Sequence, residues 1–349
     1  MTARMYSVPG YDIDAVRSAF PSLRAGGAHF ESPGGTQTPE PVALAIYNAL
    51  TEPLSNRGRE TLAERNADDI VHACREAVGD LLGVEPATVV FGRSATSLTF
   101  HLSRTLARAW KPGDEVIVSR LDHDANVRPW VIAAARSDVT VKWADFDPAT
   151  GELDLASLTD QLSERTRVVA LTAASNLIGT MPDLATIAAS VHETPALLYV
   201  DGVHHAAHCL VDVPALGADL YVCSPYKFLG PHCAVLTGRP DLLDELAPDK
   251  LLPSPNRMPE RFELGTLPYE LMAGTTRAVD FLAGLVPGDG LRRERLKTSM
   301  RALGEHEDAL RARIEQALKS MPGVTCHSRA RVRTPTLLFT FSDRDPAQL

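Results

Sequence analysis

The chain has 349 residues and a formal net charge of -9 at pH 7, and 44% of its residues are hydrophobic while 23% are charged. These values are typical of a soluble globular protein with one large core and a smaller one. An acidic chain lacks the clustered excess of lysine and arginine that a general nucleic-acid surface requires, so a small-molecule partner fits better. No stretch is apolar enough to span a bilayer and residues 1–10 lack a secretory signal, which predicts a cytoplasmic protein without a membrane partner.

Apolar runs of strand length recur along the chain and mostly alternate with amphipathic segments of helix length. The predicted strands cover residues 88–91, 115–119, 139–143, 168–171, 197–200, 220–223 and 234–236. The predicted helices between them cover residues 62–82, 97–109, 126–135, 155–162 and 184–191. Because the strands read as continuous apolar runs, as in sheets covered on both faces, the pattern predicts an α/β fold with a mostly parallel, seven-stranded sheet.

The pattern changes near residue 270. Two long helices, over residues 269–285 and 290–321, precede a short strand within residues 336–341. We therefore predict a large domain over residues 31–270 and a smaller α+β domain over residues 271–349. Residues 1–30 are predicted to pack on the smaller domain.

Lys227 lies in a turn directly after the apolar run 218–222, and Asp201 ends the run 196–200. Ligands of open α/β sheets bind beyond the carboxyl ends of the strands, so these two residues are expected to be neighbours. A lysine amine can form a Schiff base with a carbonyl group, and a buried aspartate can hold a heteroaromatic nitrogen protonated. These are the two anchors of pyridoxal 5′-phosphate, although either residue alone is more typical of a surface or a helix cap.

Three further polar loops follow predicted strands. Residues 92–97 open a helix, whose backbone N–H groups and hydroxyls can hold a phosphate. His123 can place its imidazole against a flat ring, and Asn176 can donate its amide to a ring oxygen. Each loop alone is weak evidence, since such residues are common in turns. Five polar loops at five strand ends are a stronger indication of one site.

In these loops the chain resembles class V aminotransferase-like, fold type I pyridoxal-phosphate enzymes, and within them cysteine desulfurases. The resemblance runs from Phe30 to Gly274, most of the chain. It is carried by Asn56-Arg57-Gly58, the segment 93–97, His123-Asp124-Ala125-Asn126 with Pro129-Trp130, Ser175-Asn176 with Gly179, Asp201-Gly202, Ser224, Lys227 with Gly230-Pro231, and Arg261-Phe262-Glu263 with Gly265-Thr266.

The resemblance implies a role for each matching residue. It implies that Lys227 forms the Schiff base, that Asp201 pairs with the pyridine nitrogen, and that His123 stacks on the ring and relays protons. Asn176 would contact the ring hydroxyl, and His204 stands where desulfurases usually carry a glutamine that touches it. The phosphate would be bound by Ser94, Ala95, Thr96, Ser224 and Tyr226. The resemblance also implies a homodimer in which Thr266 reaches the cofactor of the neighbouring subunit.

Desulfurases also need a nucleophilic cysteine on a mobile loop. The five cysteines are odd in number and form no C-x-x-C pair, so we expect reduced thiols. Cys223 and Cys233 are predicted to be buried, Cys209 to lie near the cofactor, and Cys326 to be the exposed candidate. The family's cysteine loop and its substrate-carboxylate arginine normally lie beyond the point where this sequence ends, after Asp343-Arg344-Asp345-Pro346, so the smaller domain is expected to be incomplete. Arg57 and Arg257 are alternative carboxylate contacts, with salt bridging as the simpler interpretation.

The preferred hypothesis is a pyridoxal-phosphate enzyme that acts on an amino acid, as a cysteine desulfurase or a related C–S lyase. A class V aminotransferase or an epimerase would share all the cofactor residues. A metal-dependent hydrolase that uses His123, Asp201, His204 and His208 is the alternative of another class, because His204 and His208 share a helical spacing. A cofactor-binding protein that has lost turnover and acts in regulation or assembly is a third possibility.

Overall fold

The computed structural model describes residues 8–342. Its centre is a seven-stranded sheet in the order β1-β7-β6-β5-β4-β2-β3. Strands β2 to β6 pair in parallel, whereas β7 runs antiparallel to both β6 and β1. The strands are Val90–Gly92 (β1), Glu115–Ser119 (β2), Thr140–Ala144 (β3), Thr166–Thr172 (β4), Leu197–Asp201 (β5), Leu220–Cys223 (β6) and Ala234–Gly238 (β7). The predicted α/β class and mostly parallel sheet are confirmed.

Helices cover both faces of this sheet. The described part of the chain contains Ile13–Ser18 (α1), Glu40–Thr51 (α2), Leu62–Leu82 (α3), Ala95–Ala107 (α4), Arg128–Arg136 (α5), Leu155–Thr159 (α6), Leu184–Val191 (α7), His205–His208 (α8), Val213–Leu216 (α9), Pro240–Glu245 (α10), Tyr269–Ala283 (α11) and Arg292–Ser320 (α12). Strands Val324–Cys326 (β8) and Phe339–Phe341 (β9) form a separate antiparallel pair. Short 3-10 turns cover Pro21–Ala25, Pro86–Thr88, Asp124–Asn126, Pro225–Lys227 and Glu260–Phe262.

The core lies on both faces of the sheet because successive strand residues point to opposite sides. In β4, Val169 and Leu171 join the cluster packed under α3, α7 and α11, whereas Val168 and Ala170 join the cluster under α4 and α5. This arrangement explains why the strands read as continuous apolar runs. It also leaves the strand ends as the place where polar loops are tolerated.

Several boundaries differ from the predicted ones for local reasons. The helix predicted at residue 97 begins at Ala95, because the Ser94 side chain caps it by accepting the N–H of Ser97. The strand predicted from residue 88 begins at Val90, since Pro86–Thr88 form a 3-10 turn. The helix Glu40–Thr51 was not predicted, because Leu44, Tyr47 and Leu50 are exposed and blur its apolar face.

The described part of the N-terminal segment contacts the two long C-terminal helices. The ring of Tyr11 lies 5.3 Å from that of His306 on α12, and the ring of Phe20 lies 5.8 Å from that of Phe281 on α11. No helix within residues 8–342 is both long and apolar enough to cross a membrane. Residues 1–7 and the Asp343–Pro346 motif discussed above lie outside the described residues.

Candidate active site

A cavity of about 450 Å³ opens at the carboxyl ends of the parallel strands. Loops that follow β1, β2, β4, β5 and β6 form its wall, together with Pro33 and Gly34 from the N-terminal part of the chain. The structure brings together all of the residues assigned to the cofactor except Thr266: Ser94, Ala95, Thr96, His123, Asn176, Asp201, His204, Ser224, Tyr226 and Lys227. The wall also contains Ala125, which belongs to the His123 motif, and Thr172, Ala174, Leu177 and Val203, to which the sequence gave no role.

Lys227 is the last residue of the turn after β6, and its side chain is buried. Burial lowers the pKa of its amine, and the negative charge of Asp201 partly opposes this effect. The Nζ atom donates a hydrogen bond to the carbonyl oxygen of Pro33 and lies 5.0 Å from the ring centre of Tyr226. A lysine whose ammonium form is disfavoured has more of the neutral, nucleophilic amine at a given pH.

Asp201 ends β5 and is buried at the floor of the cavity. Its Oδ1 atom accepts the backbone N–H of Val203 at 2.9 Å. Burial raises the pKa of its carboxyl group, whereas the nearby His123 and Lys227 lower it. A buried carboxylate in this position needs a cationic partner, and a protonated ring nitrogen is one such partner.

His123 projects from the loop after β2, and its Nδ1 atom accepts the backbone N–H of Ala125 at 3.1 Å. This bond orients the imidazole toward the cavity. Behind it, the Asp122 carboxylate accepts hydrogen bonds from the Ser119 hydroxyl and, at 2.7 Å, from the Asn126 amide. Burial raises the pKa of Asp122 to about 7, and the charge of Asp201 adds to the rise. No sequence pattern assigned a role to Asp122, although it directly precedes His123.

The N-terminus of α4 forms one end of the cavity. The Ser94 hydroxyl is used in capping this helix, since it accepts the N–H of Ser97 at 3.1 Å. The hydroxyls of Thr96, Ser224 and Tyr226 have no hydrogen-bond partner within residues 8–342, although all three residues line the cavity. The ring of Tyr226 is held in place by stacking on His232, with centroids 4.8 Å apart. Free hydroxyls beside a helix N-terminus are suited to an anion.

His204 connects the cavity to the C-terminal part of the chain. Its Nε2 atom lies 3.1 Å from the Thr334 hydroxyl and 2.8 Å from the Thr336 hydroxyl. Burial lowers the pKa of His204 to about 3, with further lowering from His208, Lys227 and His205. The imidazole is therefore neutral at physiological pH. No sequence signal pointed to Thr334 and Thr336, because they are 130 and 132 positions away from His204 and approach it only in the folded chain.

Thr266 and Arg57 lie in a different cavity of about 990 Å³. Arg57 forms ion pairs with Asp68 at 2.7 Å and Glu260 at 3.0 Å, and Arg257 lies 3.6 Å from Glu260. Both arginines are thus engaged in salt bridges, as the simpler interpretation had it. Neither lines the 450 Å³ cavity.

The metal-site alternative is wrong for the part of the chain that the structure describes. No group of three or more histidine, cysteine, aspartate or glutamate side chains there is arranged to hold a metal ion. His204 contacts the two threonine hydroxyls instead, and the Nδ1 atom of His208 lies 3.0 Å from the Glu307 carboxylate. The helical spacing of the two histidines places their rings in an edge-to-face contact at 4.7 Å.

The cysteines are all free thiols, and none lines the cavity. Cys74, Cys223 and Cys233 are buried, as predicted for the last two. Cys209 and Cys326 are both partly buried, so Cys326 is not the single accessible cysteine that was expected. Burial raises the pKa of the Cys209 thiol to about 12, which leaves it almost entirely protonated at neutral pH.

Comparison with known proteins agrees with this geometry. An aminotransferase-like protein from Gibberella zeae is 33% identical over 347 residues, which cover 96% of this chain and 83% of that protein. A cysteine desulfurase from Dickeya dadantii is 35% identical over 258 residues, which cover 70% of this chain and 61% of that protein. The crystal structure of the cysteine desulfurase CsdA from Escherichia coli matches with a TM-score of 0.83 and 26% identity, over 97% of this chain and 84% of that one.

The family model for class-V aminotransferases matches residues 28–349. This range contains the sheet and every loop that forms the cavity wall. The chain therefore belongs to the class-V aminotransferase family, and its similarity within that family extends to cysteine desulfurases.

Proposed function

We propose that this protein is a pyridoxal 5′-phosphate-dependent enzyme that acts on an α-amino acid with cysteine desulfurase-like or C–S lyase chemistry. One observation carries the proposal. The amine of Lys227 and the carboxyl group of Asp201 lie in the wall of the same 450 Å³ cavity. Class-V family membership and the cysteine desulfurase relatives support it.

The residues present fit this cofactor. The cavity volume falls in the range of about 300–1,000 Å³ that is usual for small-molecule sites. One end offers unpartnered hydroxyls at the N-terminus of α4 for a phosphate, and the floor offers the buried Asp201 carboxylate for a ring nitrogen. The exposed His123 lines the same cavity.

Each side chain then has a definite task. Lys227 would hold the cofactor through a covalent bond from its amine to the aldehyde. Once the substrate amine has displaced it, the freed Lys227 amine would move the proton at the substrate Cα as general base and acid. Asp201 keeps the ring nitrogen protonated, while His123 stacks on the ring and relays protons. Asn176 and the neutral His204 are the groups for the ring hydroxyl. When bound, the cofactor supplies an electron sink for the pair released as a substrate Cα bond breaks.

The phosphate end is assigned to Thr96, Ser224 and Tyr226 with the backbone at Ser94 and Ala95. This assignment follows from the positive end of α4 and from the three free hydroxyls. Thr266, in its separate cavity, is proposed to reach the cofactor of a second subunit in a homodimer. The division at residues 30 and 270 and the cytoplasmic location stay predictions from the sequence.

Reductive trapping tests the proposal directly. The purified protein, supplied with pyridoxal 5′-phosphate and treated with borohydride, is expected to carry the label on Lys227 by peptide mass spectrometry. The Lys227→Ala variant should fold normally, with an unchanged circular dichroism spectrum, yet lose the label and all turnover. Lys297→Ala, at an exposed position on α12, is the matched control and should keep both. A label on another lysine would contradict the assignment.

The products identify the reaction. With cysteine as substrate, alanine and sulfide indicate desulfurization, whereas pyruvate, ammonia and sulfide indicate C–S elimination. A class-V aminotransferase would instead produce a keto acid only when a second keto acid is supplied, and an epimerase would only change the optical rotation. We include the aminotransferase assay because the relative from Gibberella zeae is named aminotransferase-like.

A further inference from the structure

A second, inner chamber of about 190 Å³ adjoins the candidate active site. Lys227 and His204 line both spaces, so they form the boundary between them. The chamber is enclosed by the N-terminal segment, by α8 and by the two long helices α11 and α12. The residues assigned to cofactor binding leave this chamber without a role.

The walls of this inner chamber are mainly apolar. Phe20, Leu282, Leu285 and Leu303 contribute side chains from three different parts of the chain. Phe20, Leu282 and Leu285 are buried, and Leu303 is partly buried. An occupant that fills such a space gains about 0.8 kcal/mol for each methylene group removed from water, which corresponds to about a fourfold gain in affinity.

Most polar groups in the walls are already paired within the protein. His208 Nδ1 lies 3.0 Å from the Glu307 carboxylate, and His204 Nε2 lies 2.8 Å from the Thr336 hydroxyl. The Thr36 hydroxyl donates to the carbonyl oxygen of Tyr226 at 3.0 Å and accepts the N–H of Leu229 at the same distance. These groups do not need a polar ligand, so an apolar occupant leaves none of them without its hydrogen bond.

The position of Lys227 connects the chamber to the substrate. In the proposed function the Lys227 amine moves the proton at the substrate Cα, so Cα must lie within hydrogen-bond reach of Nζ. The side chain of the substrate therefore starts at the boundary of the chamber. Cysteine has only two non-hydrogen atoms beyond Cα and leaves such a space mostly empty.

No cysteine lines the active-site cavity or the inner chamber within residues 8–342. Elimination across the Cα–Cβ bond needs no such thiol, because the sulfur leaves with its own substituent.

Building on the proposed function, we infer that the inner chamber is the subsite for the sulfur substituent of an S-substituted cysteine, and that this substituent is an apolar alkyl or aryl group. The preferred substrates are thus thioethers larger than free cysteine. Phe20, Leu282, Leu285 and Leu303 determine how large the substituent is.

The overall reaction consumes one water molecule and involves no change in oxidation state. The Lys227 amine takes the Cα proton, the Cβ–S bond breaks, and its electron pair leaves on sulfur, which is protonated to the thiol. The remaining three-carbon fragment is hydrolysed. R–S–CH2–CH(NH3+)–COO− and water therefore yield R–SH, pyruvate and ammonium.

The test is a series of probes of increasing substituent size: cysteine, S-methylcysteine, S-ethylcysteine and S-butylcysteine. Binding is measured from the change in the cofactor absorbance band on titration, and turnover from pyruvate and the free thiol. We expect the apparent affinity to increase about fourfold for each added methylene, until the chamber is full. Equal affinity across the series, or faster formation of alanine from cysteine than of pyruvate from S-butylcysteine, would overturn the inference.

Leu303→Phe fills the chamber and is the decisive variant. It should lower the ratio of S-butylcysteine to S-methylcysteine affinity at least tenfold. Leu310→Phe, at an exposed position on the same helix, should keep the wild-type ratio. If both variants keep the ratio, the substituent lies elsewhere. Failure of borohydride to label Lys227 would instead remove the proposed function, so the two failures are distinguishable.

Discussion

The Nε2 atom of His204 lies 2.8 Å from the hydroxyl oxygen of Thr336, although 132 positions separate the two residues in the sequence. Thr334 completes the contact, since its hydroxyl lies 3.1 Å from the same nitrogen and donates to Thr336. The Thr334 N–H also donates to the carbonyl oxygen of Gly179 in the loop after β4. The C-terminal part of the chain thereby holds a side chain of the candidate active site in place.

Replacing Thr336 by valine removes the shorter of these bonds at nearly constant volume. We expect the free energy of unfolding to decrease by about 1 kcal/mol. In the loaded enzyme, the pH midpoint of the cofactor absorbance should shift by about half a unit or more, because His204 is no longer held. Thr336→Ser should restore the midpoint, and Thr340→Val, which removes a 2.9 Å contact to the exposed His327, should leave it unchanged. An unchanged midpoint in Thr336→Val would show that the contact is only structural.

Asp201→Asn replaces the buried carboxylate with a neutral group of the same shape. The amide does not stabilise a protonated ring nitrogen, so we expect turnover to fall on the order of 10²-fold, as for loss of one preorganised electrostatic group. Steady-state kinetics and borohydride labelling of Lys227 are the measurements. Asp145→Asn, which affects an exposed pair with Arg120, is the control. Turnover within threefold of the wild type would contradict the role of Asp201.

Gly202→Ala tests the close packing directly behind Asp201. A Cβ atom at this position would lie 1.9 Å from the Cζ and Oη atoms of the fully buried Tyr221. We expect a loss of unfolding free energy of about 1–3 kcal/mol or more, measured by chemical denaturation. Gly288→Ala meets no atom within 4 Å and should be neutral. Equal stability of the two variants would be inconsistent with this packing.

Arg75→Met interrupts a buried ionic network between α3 and the turn Glu260–Phe262. Arg75 binds Glu263 at 2.8 Å, and the other carboxylate oxygen of Glu263 accepts the N–H of Phe91 at 3.0 Å. Removal of the guanidinium leaves a buried carboxylate without its cation, at an expected cost of about 3–5 kcal/mol. Arg24→Met removes only an exposed pair with Glu40 and should cost less than about 1 kcal/mol. Denaturant unfolding of both variants measures the difference.

Two buried histidines predict a dependence of stability on acid. Burial, together with the smaller effect of the nearby His208, lowers the pKa of His204 to about 3 and that of His205 to about 4. In the unfolded chain a histidine has a pKa of about 6.5, so between these values only the unfolded state binds the proton. The contribution of these two histidines to the free energy of unfolding should therefore be complete above about pH 6.5. It should be lost progressively as the pH falls below that value.

The expected slope is about 1.4 kcal/mol per pH unit for each histidine. His205→Asn removes one of these protons, so its stability curve between pH 6 and pH 4 should be less steep by about that amount. Leu310→Ala, which changes no titratable group at an exposed position on α12, should keep the wild-type slope. Equal slopes in the two variants would show that His205 is protonated in the folded state.

Patterns within the chain were sufficient to predict most of the fold. Strands 115–119 and 220–223 and helices 62–82 and 184–191 were predicted with the observed boundaries. The reason is that a buried strand and an amphipathic helix are specified by residues a few positions apart. Local competition explains the misplaced boundaries, as at Ser94, where a side-chain cap starts the helix early.

The amino-acid sequence by itself determined the α/β class, the seven strands and the polar loops that end them, including those of Lys227 and Asp201. Only the tertiary structure decided that Thr334 and Thr336 contact His204, that Thr266 and Arg57 lie apart from the active-site cavity, and that an apolar chamber opens behind Lys227. Secondary structure follows from short-range periodicity. Contacts between segments more than a hundred residues apart depend on how whole helices and sheets pack, and no local pattern encodes them.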